Sequence, residues 1–178
     1  MLKELLIDYD VDFVGLQETM RKNYTEKFFR TIDFGKKYVW HWIPSNGKSG
    51  GILCGINLDR YEVVSFVEGF FSVLAVVKDK KEKRNISIVT VYGLAHEENR
   101  EAFLAEISQI CTSNKNPMML GSDFNILRFS SDKNKSFTEN KASDLFNWVI
   151  NTHDLRELPL QGGKYTWSNN KKTLLWRS

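Results

Sequence analysis

The chain has 178 residues, 42% of them hydrophobic and 13% aromatic, with 25 Lys and Arg against 22 Asp and Glu for a net charge of +3. That length suits one domain with a sizeable core, and the composition excludes disordered, collagen-like and low-complexity classes. No apolar run approaches the ~18 residues of a membrane helix. The start, Met1-Leu2-Lys3-Glu4-Leu5, lacks the apolar core of a secretory leader. Cys54 and Cys111 are too few for a disulfide framework or a zinc cluster, so both are expected as free thiols in a reducing, intracellular compartment.

In chain order, residues 2–9 predict a short helix with Leu2, Leu5 and Leu6 on one face. Val11 to Leu16 reads as a buried strand ending at Gln17-Glu18-Thr19, and residues 23–31 as a helix with Phe28 and Phe29 facing in. Strand-like runs follow at 37–43, 51–56, 61–67, 70–78 and 85–92, separated by Ser45-Asn46-Gly47, by Asn57 to Arg60, and by the charged run Lys78 to Arg84. The charged run reads as a solvated hairpin tip. Residues 97–112 form an amphipathic helix whose stripe is Phe103, Leu104, Ile107, Ile110 and Cys111. Pro117 ends that pattern, and Met118 to Leu120 is a short buried strand leading into Gly121. A second amphipathic helix, 139–151, lines Ala142, Leu145, Phe146, Val149 and Ile150 on one face. Pro159 and Gly162-Gly163 then turn the chain into a last strand, Tyr165-Thr166-Trp167. The central strands lie too close together for βαβ crossovers and should pair antiparallel, while the strands joined by later helices allow mixed pairing. An α/β (α+β) architecture follows: two sheets packed face to face with helices outside, in a single domain over 1–178.

Two acids follow buried strands, Glu18 in Val14-Gly15-Leu16-Gln17-Glu18-Thr19 and Asp123 in Met119-Leu120-Gly121-Ser122-Asp123-Phe124-Asn125. A carboxylate at a strand end stands on rigid support at the rim of a sheet. Two of them can hold a hard cation such as Mg²⁺, which takes one or two carboxylates and fills its shell with water and phosphate oxygens. On extended backbone Asn125, two residues on, would point to the same side as Asp123. From the residues alone, each acid reads equally as a strand-end hydrogen-bond acceptor.

Several ordered strings resemble the endonuclease/exonuclease/phosphatase superfamily, the DNase I-like fold. "VDFVGLQET" resembles its second-strand motif, "GSDFN" its G-D-F-N signature and "VTVYG" its V-x-V-Y strand. The resemblance is closest to the endonuclease domain of plant LINE-type retrotransposons, in which "LQET", "GSDFNILR" and "LPLQGGKYTWSNN" have counterparts in the same order. It implies a four-layer sandwich and Mg²⁺-dependent hydrolysis of DNA phosphodiesters, with Mn²⁺ as a possible substitute. Glu18 would be the metal-binding glutamate. Asp123 would share the metal and orient or activate the attacking water, and Asn125 would hold that water or the scissile phosphate. Tyr92 would contact the phosphate, and Trp167 would be the late aromatic beside the site. Arg100 and Lys133, Lys135 and Lys141 are weaker candidates for the nucleic-acid backbone.

Two family elements have no counterpart here, the opening strand with an "N-x-R-G" asparagine and the late "S-D-H". The fold is therefore expected without its first strand and its C-terminal strands. His41, His96 and His153 do not match the catalytic histidine, and losing a proton-transfer group costs about 10²–10⁴-fold. The reading is a truncated, weak or inactive endonuclease domain, monomeric by default. The alternatives are a catalytically incomplete remnant that folds or binds nucleic acid without turnover, and a phosphatase of the same superfamily.

Overall fold

The computed structural model describes residues 2–33, 35, 37–45, 50–93, 97–129, 131 and 140–158. The chain divides into two compact units, Met1–Asn125 and Ile126–Ser178. The first unit contains helix α1 (Leu2–Asp8), strand β1 (Phe13–Gln17), helix α2 (Glu26–Ile32) and strands β2 (Tyr38–Ile43), β3 (Ile52–Asn57), β4 (Tyr61–Glu68), β5 (Ser72–Asp79) and β6 (Asn85–Tyr92). It closes with a 3-10 turn at Glu97–Asn99, helix α3 (Arg100–Ser113) and strand β7 (Met118–Asp123). The second unit holds helix α4 (Lys141–Thr152).

The strands form a three-stranded sheet in the order β1-β3-β2 and a four-stranded sheet in the order β4-β5-β6-β7. The pairs β1–β3, β2–β3, β4–β5 and β5–β6 are antiparallel, and β6–β7 is parallel, which makes the four-stranded sheet mixed. The parallel pair arises because α3 returns the chain to the side from which β6 began.

Alternation along the strands decides which residues meet. On β6, Ile88, Thr90 and Tyr92 face the three-stranded sheet. Ile88 packs with Ile56, Ala75 and Val77, and Tyr92 packs with Ile52, Cys54 and Val73. Between them the Cys54 thiol donates to Thr90 Oγ1 at 3.2 Å. Gly15 of β1 sits over the same threonine, where a Cβ would lie 2.9 Å from Thr90 Oγ1. The two sheets come this close because that position carries no side chain. On the outer face of the three-stranded sheet, Val14 and Tyr38 pack with Leu6 of α1. Leu5, expected on that face, is 47% exposed instead. The short helix turns only Leu2 and Leu6, one turn apart, toward the sheet.

Helix α2 buries no residue fully. Its Phe28 and Phe29 join Tyr24, Trp40 and Trp42 in a ring cluster, with Phe29 stacked on Trp40 at 5.4 Å. Helix α3 buries Phe103, Leu104 and Ile107, and Phe103 meets Phe71 edge-on at 5.7 Å. The charged run is the tip of the β5–β6 hairpin as expected, where Asp79 Oδ1 accepts the N–H groups of Lys81 and Glu82. In the second unit, Asn140 caps α4 by accepting from Ala142 and Ser143, and Phe146 and Val149 are buried. Arg128 donates to Asn147 Oδ1 and pairs with Glu157. The predicted turn at Pro159 and Gly162-Gly163, the strand 165–167, and Lys133 and Lys135 lie outside the described residues.

Candidate active site

Register builds the site. Gln17, the last residue of β1, lies opposite Ile52 on β3, and Ile52 packs on Tyr92. The next residue, Glu18, therefore arrives above the Tyr92 ring. Tyr92 is 7% exposed, and its hydroxyl donates to Glu18 Oε1 at 2.6 Å, tying one sheet's end to the other's. Asp123 ends β7 directly beside Tyr92 in the parallel register. Glu18, Tyr92 and Asp123 are thus gathered at one end of the sandwich, by two sheets and three strands.

Backbone geometry shows that this end is under local constraint. Glu18, Met20 and Asn125 are non-glycine residues at φ +50°, +52° and +51°. Left-handed backbone costs such residues about 1–2 kcal/mol each and persists only where the surroundings hold it. The holding contacts are visible. Thr19 and Met20 donate their N–H groups to the carbonyls of Gly51 and Gly50. Asn125 gives its N–H to Asp123 Oδ1 at 3.1 Å and its side-chain amide to the Gly93 carbonyl at 2.6 Å. Gly93 in turn donates to the Asp123 carbonyl at 3.0 Å.

Asn125 is therefore not on extended backbone, as its spacing from Asp123 had suggested. The strand stops at Asp123, and the turn that follows directs the amide to Gly93. Gly93 itself was not read from the sequence as a site residue. A Cβ there would run into the Phe124 backbone, with its carbonyl carbon at 2.7 Å. Its signal was present in "VTVYG", directly after the site tyrosine.

Electrostatics set the chemistry. Burial first, then the bond to Glu18 and the charges of Glu18 and Asp123, push the Tyr92 phenol far above its ordinary range. It stays a neutral donor at any working pH. Glu18 and Asp123 are both exposed, and among the described residues neither is paired with a Lys, Arg or His. Two exposed carboxylates, one of them held by the Tyr92 hydroxyl and neither paired with a cation among the described residues, are a fit for a hard divalent cation. No group of three or more His, Cys, Asp or Glu gathers among the described residues.

The other predicted residues fall elsewhere. Arg100 opens α3 and is half-buried, Lys141 opens α4, and His153 caps the end of α4. His41 Nε2 lies 2.9 Å from Glu68 Oε1, and its ring stacks on Phe66 at 4.4 Å. Trp167 and His96 lie outside the described residues.

No protein-family model and no curated protein matches the sequence. Solved structures do match. The catalytic domain of human Nocturnin, solved with bound sulfate, aligns with a TM-score of 0.56 at 17% identity, covering 70% of this chain and 55% of that one. An endonuclease/exonuclease/phosphatase from Bacteroides vulgatus aligns at 0.58 and 19% identity, covering 85% of this chain and 60% of that one. The fold is the DNase I-like fold of these proteins. ANGEL2, a 2',3'-cyclic phosphatase, aligns at 0.56 and 18% identity over 73% of this chain and 44% of that one. The chain thus spans about half the length of the structures it matches. Among the described residues, no helix is long and apolar enough to cross a membrane.

Proposed function

We propose that this chain carries the metal site of a Mg²⁺-dependent phosphodiesterase, of the endonuclease type found in plant LINE retrotransposons. The observation that carries the reading is the Tyr92–Glu18 hydrogen bond beside Asp123, which sets two exposed carboxylates at one rim. Glu18 and Asp123 would hold the cation, which when bound supplies positive charge to an anionic phosphoester and its leaving oxygen. Tyr92 fixes the Glu18 carboxylate by a charge-assisted bond and cannot compete as an anion. Asp123, whose Oδ1 accepts the Asn125 N–H, is also the acceptor for a water proton. Asn125, exposed and anchored by one amide bond to the Gly93 carbonyl, would hold a phosphate or that water with its remaining amide groups.

DNA is the proposed substrate, on the ordered strings "LQET", "GSDFNILR" and "LPLQGGKYTWSNN". The solved Nocturnin domain binds sulfate, an oxyanion of phosphate shape, and ANGEL2 is a 2',3'-cyclic phosphatase. Both support phosphoester chemistry on this fold. The test is hydrolysis of bis(p-nitrophenyl) phosphate in Mg²⁺ beside the monoester p-nitrophenyl phosphate. The diester should be cleaved, the monoester spared, and Glu18→Ala or Asp123→Ala should remove the activity. Diester cleavage that survives Glu18→Ala, or none at all from folded protein, overturns the reading. Preference for the monoester would make the chain a phosphatase.

A further inference from the structure

The turn between β4 and β5 breaks the usual rule for such turns. Tight hairpin turns favour Gly, Asn, Asp and Pro, yet this one runs Gly69-Phe70-Phe71-Ser72, with two aromatics at its tip. Neither phenylalanine takes a positive φ. The turn is held from outside. Glu106 of α3 accepts the Phe70 N–H at 2.9 Å, the Phe71 N–H at 3.1 Å and the Ser72 hydroxyl at 2.5 Å. Gly69 makes room for that carboxylate, since a Cβ there would lie 2.8 Å from Glu106 Cδ. Phe71 turns inward against Phe103. Phe70 turns outward and is 81% exposed, more than any other large hydrophobic residue described.

An exposed aromatic normally costs solubility without return. Here three hydrogen bonds to Glu106 hold the turn that presents it, and its place in the sheet explains why. The Phe71 carbonyl accepts the Tyr92 N–H at 2.8 Å, so the turn adjoins the residue that holds Glu18. The Phe70 ring meets the Phe71 ring in a T-shaped contact at 4.8 Å, which braces it while most of its surface stays open to solvent. Resting on the phosphodiesterase reading, we propose that Phe70 is a substrate-binding residue on which a base of a nucleic-acid strand stacks while a phosphate of that strand lies at Glu18 and Asp123. Stacking suits the purpose because every base has an apolar face, so the platform adds affinity without sequence preference. It also separates a polynucleotide from a small phosphoester, which has no base to offer.

The experiment measures binding of a short fluorescein-labelled single-stranded DNA and of the same strand with abasic sites, by anisotropy in Mg²⁺. Wild type should prefer the base-bearing strand. Phe70→Ala should weaken that strand by about tenfold, within the range for one base–aromatic stack, and leave the abasic strand unaffected. Phe70→Trp should restore the preference. Thermal unfolding of both variants should match wild type, since the side chain is exposed. Equal binding of the base-bearing strand by wild type and Phe70→Ala, or equal loss on both strands, overturns the proposal. So does wild-type indifference to the bases. Because this readout needs no turnover, its failure is distinct from failure of Glu18-dependent diester hydrolysis.

Discussion

At the scale of single residues, the Tyr92 hydroxyl is the contact on which the site depends. Tyr92→Phe removes the donor that holds Glu18 and leaves the ring in the core. Losing such an outer partner of a metal ligand typically costs about 10–100-fold in metal affinity or activity. Mg²⁺ titration followed by diester turnover should show that loss, with a stability change of only about 1 kcal/mol. Cys54 makes a second, independent prediction. Burial pushes its thiol up from 9.0 to about 11. A raised acid keeps its proton when folded and loses it when unfolded, so stability is complete below pH 9 and falls from there toward pH 11. The change should reach about 2–3 kcal/mol, at 1.36 kcal/mol per unit. Urea melts at pH 8 and pH 10.5 should differ accordingly, and Cys54→Ala should reduce the difference. Tyr92 adds to the same alkaline loss above its ordinary 10.0, because its phenol is also raised. The alkaline decline in Cys54→Ala is therefore reduced rather than abolished.

At the scale of elements, the β6–β7 ends show what local backbone does for the site. Gly93 sits where a Cβ would collide with the Phe124 backbone, and it links Asp123 to Asn125 through two hydrogen bonds. Gly93→Ala should cost about 1–3 kcal/mol, as overpacking does, and should lower diester turnover as well. Gly55→Ala, where a Cβ would meet the Trp40 ring at 2.6 Å, should cost similar stability while the site stays intact. Urea melts with turnover measured on the same samples separate the two. The strands themselves were legible, because short runs such as "YVWHWI" and "NISIVTVY" are rich in β-branched and aromatic residues. β1 buries only Val14 and Met119 of β7 is 44% exposed, less burial than expected, yet Glu18 and Asp123 were legible as acids at strand ends. Their convergence was not, because it depends on the registers Gln17↔Ile52 and Tyr92↔Asp123. The Asn125 turn was misread because spacing carries no sign of a positive φ. The Phe70 turn was missed because its N–H groups are satisfied by a carboxylate 35 residues away in sequence.

At the scale of the whole molecule, the first unit is a two-sheet sandwich whose β4 strand lies at the edge of the four-stranded sheet. Val64 and Val67 on that strand are 56% and 54% exposed, and the register shifts between Val63 and Ser65. Irregular edges of this kind discourage strand pairing between molecules, and exposed apolar residues encourage it. Val64→Lys together with Val67→Lys should reduce aggregation on heating, by light scattering, and move stability by about 0.5 kcal/mol or less, as exposed substitutions usually do. The central claim concerns what this sandwich holds at its rim. Nicking of supercoiled plasmid by purified chain in Mg²⁺, beside folded Glu18→Ala, tests it most directly. The account predicts slow nicking that disappears in EDTA and in Glu18→Ala. Nicking that persists in Glu18→Ala, or none from folded wild-type protein, would contradict it.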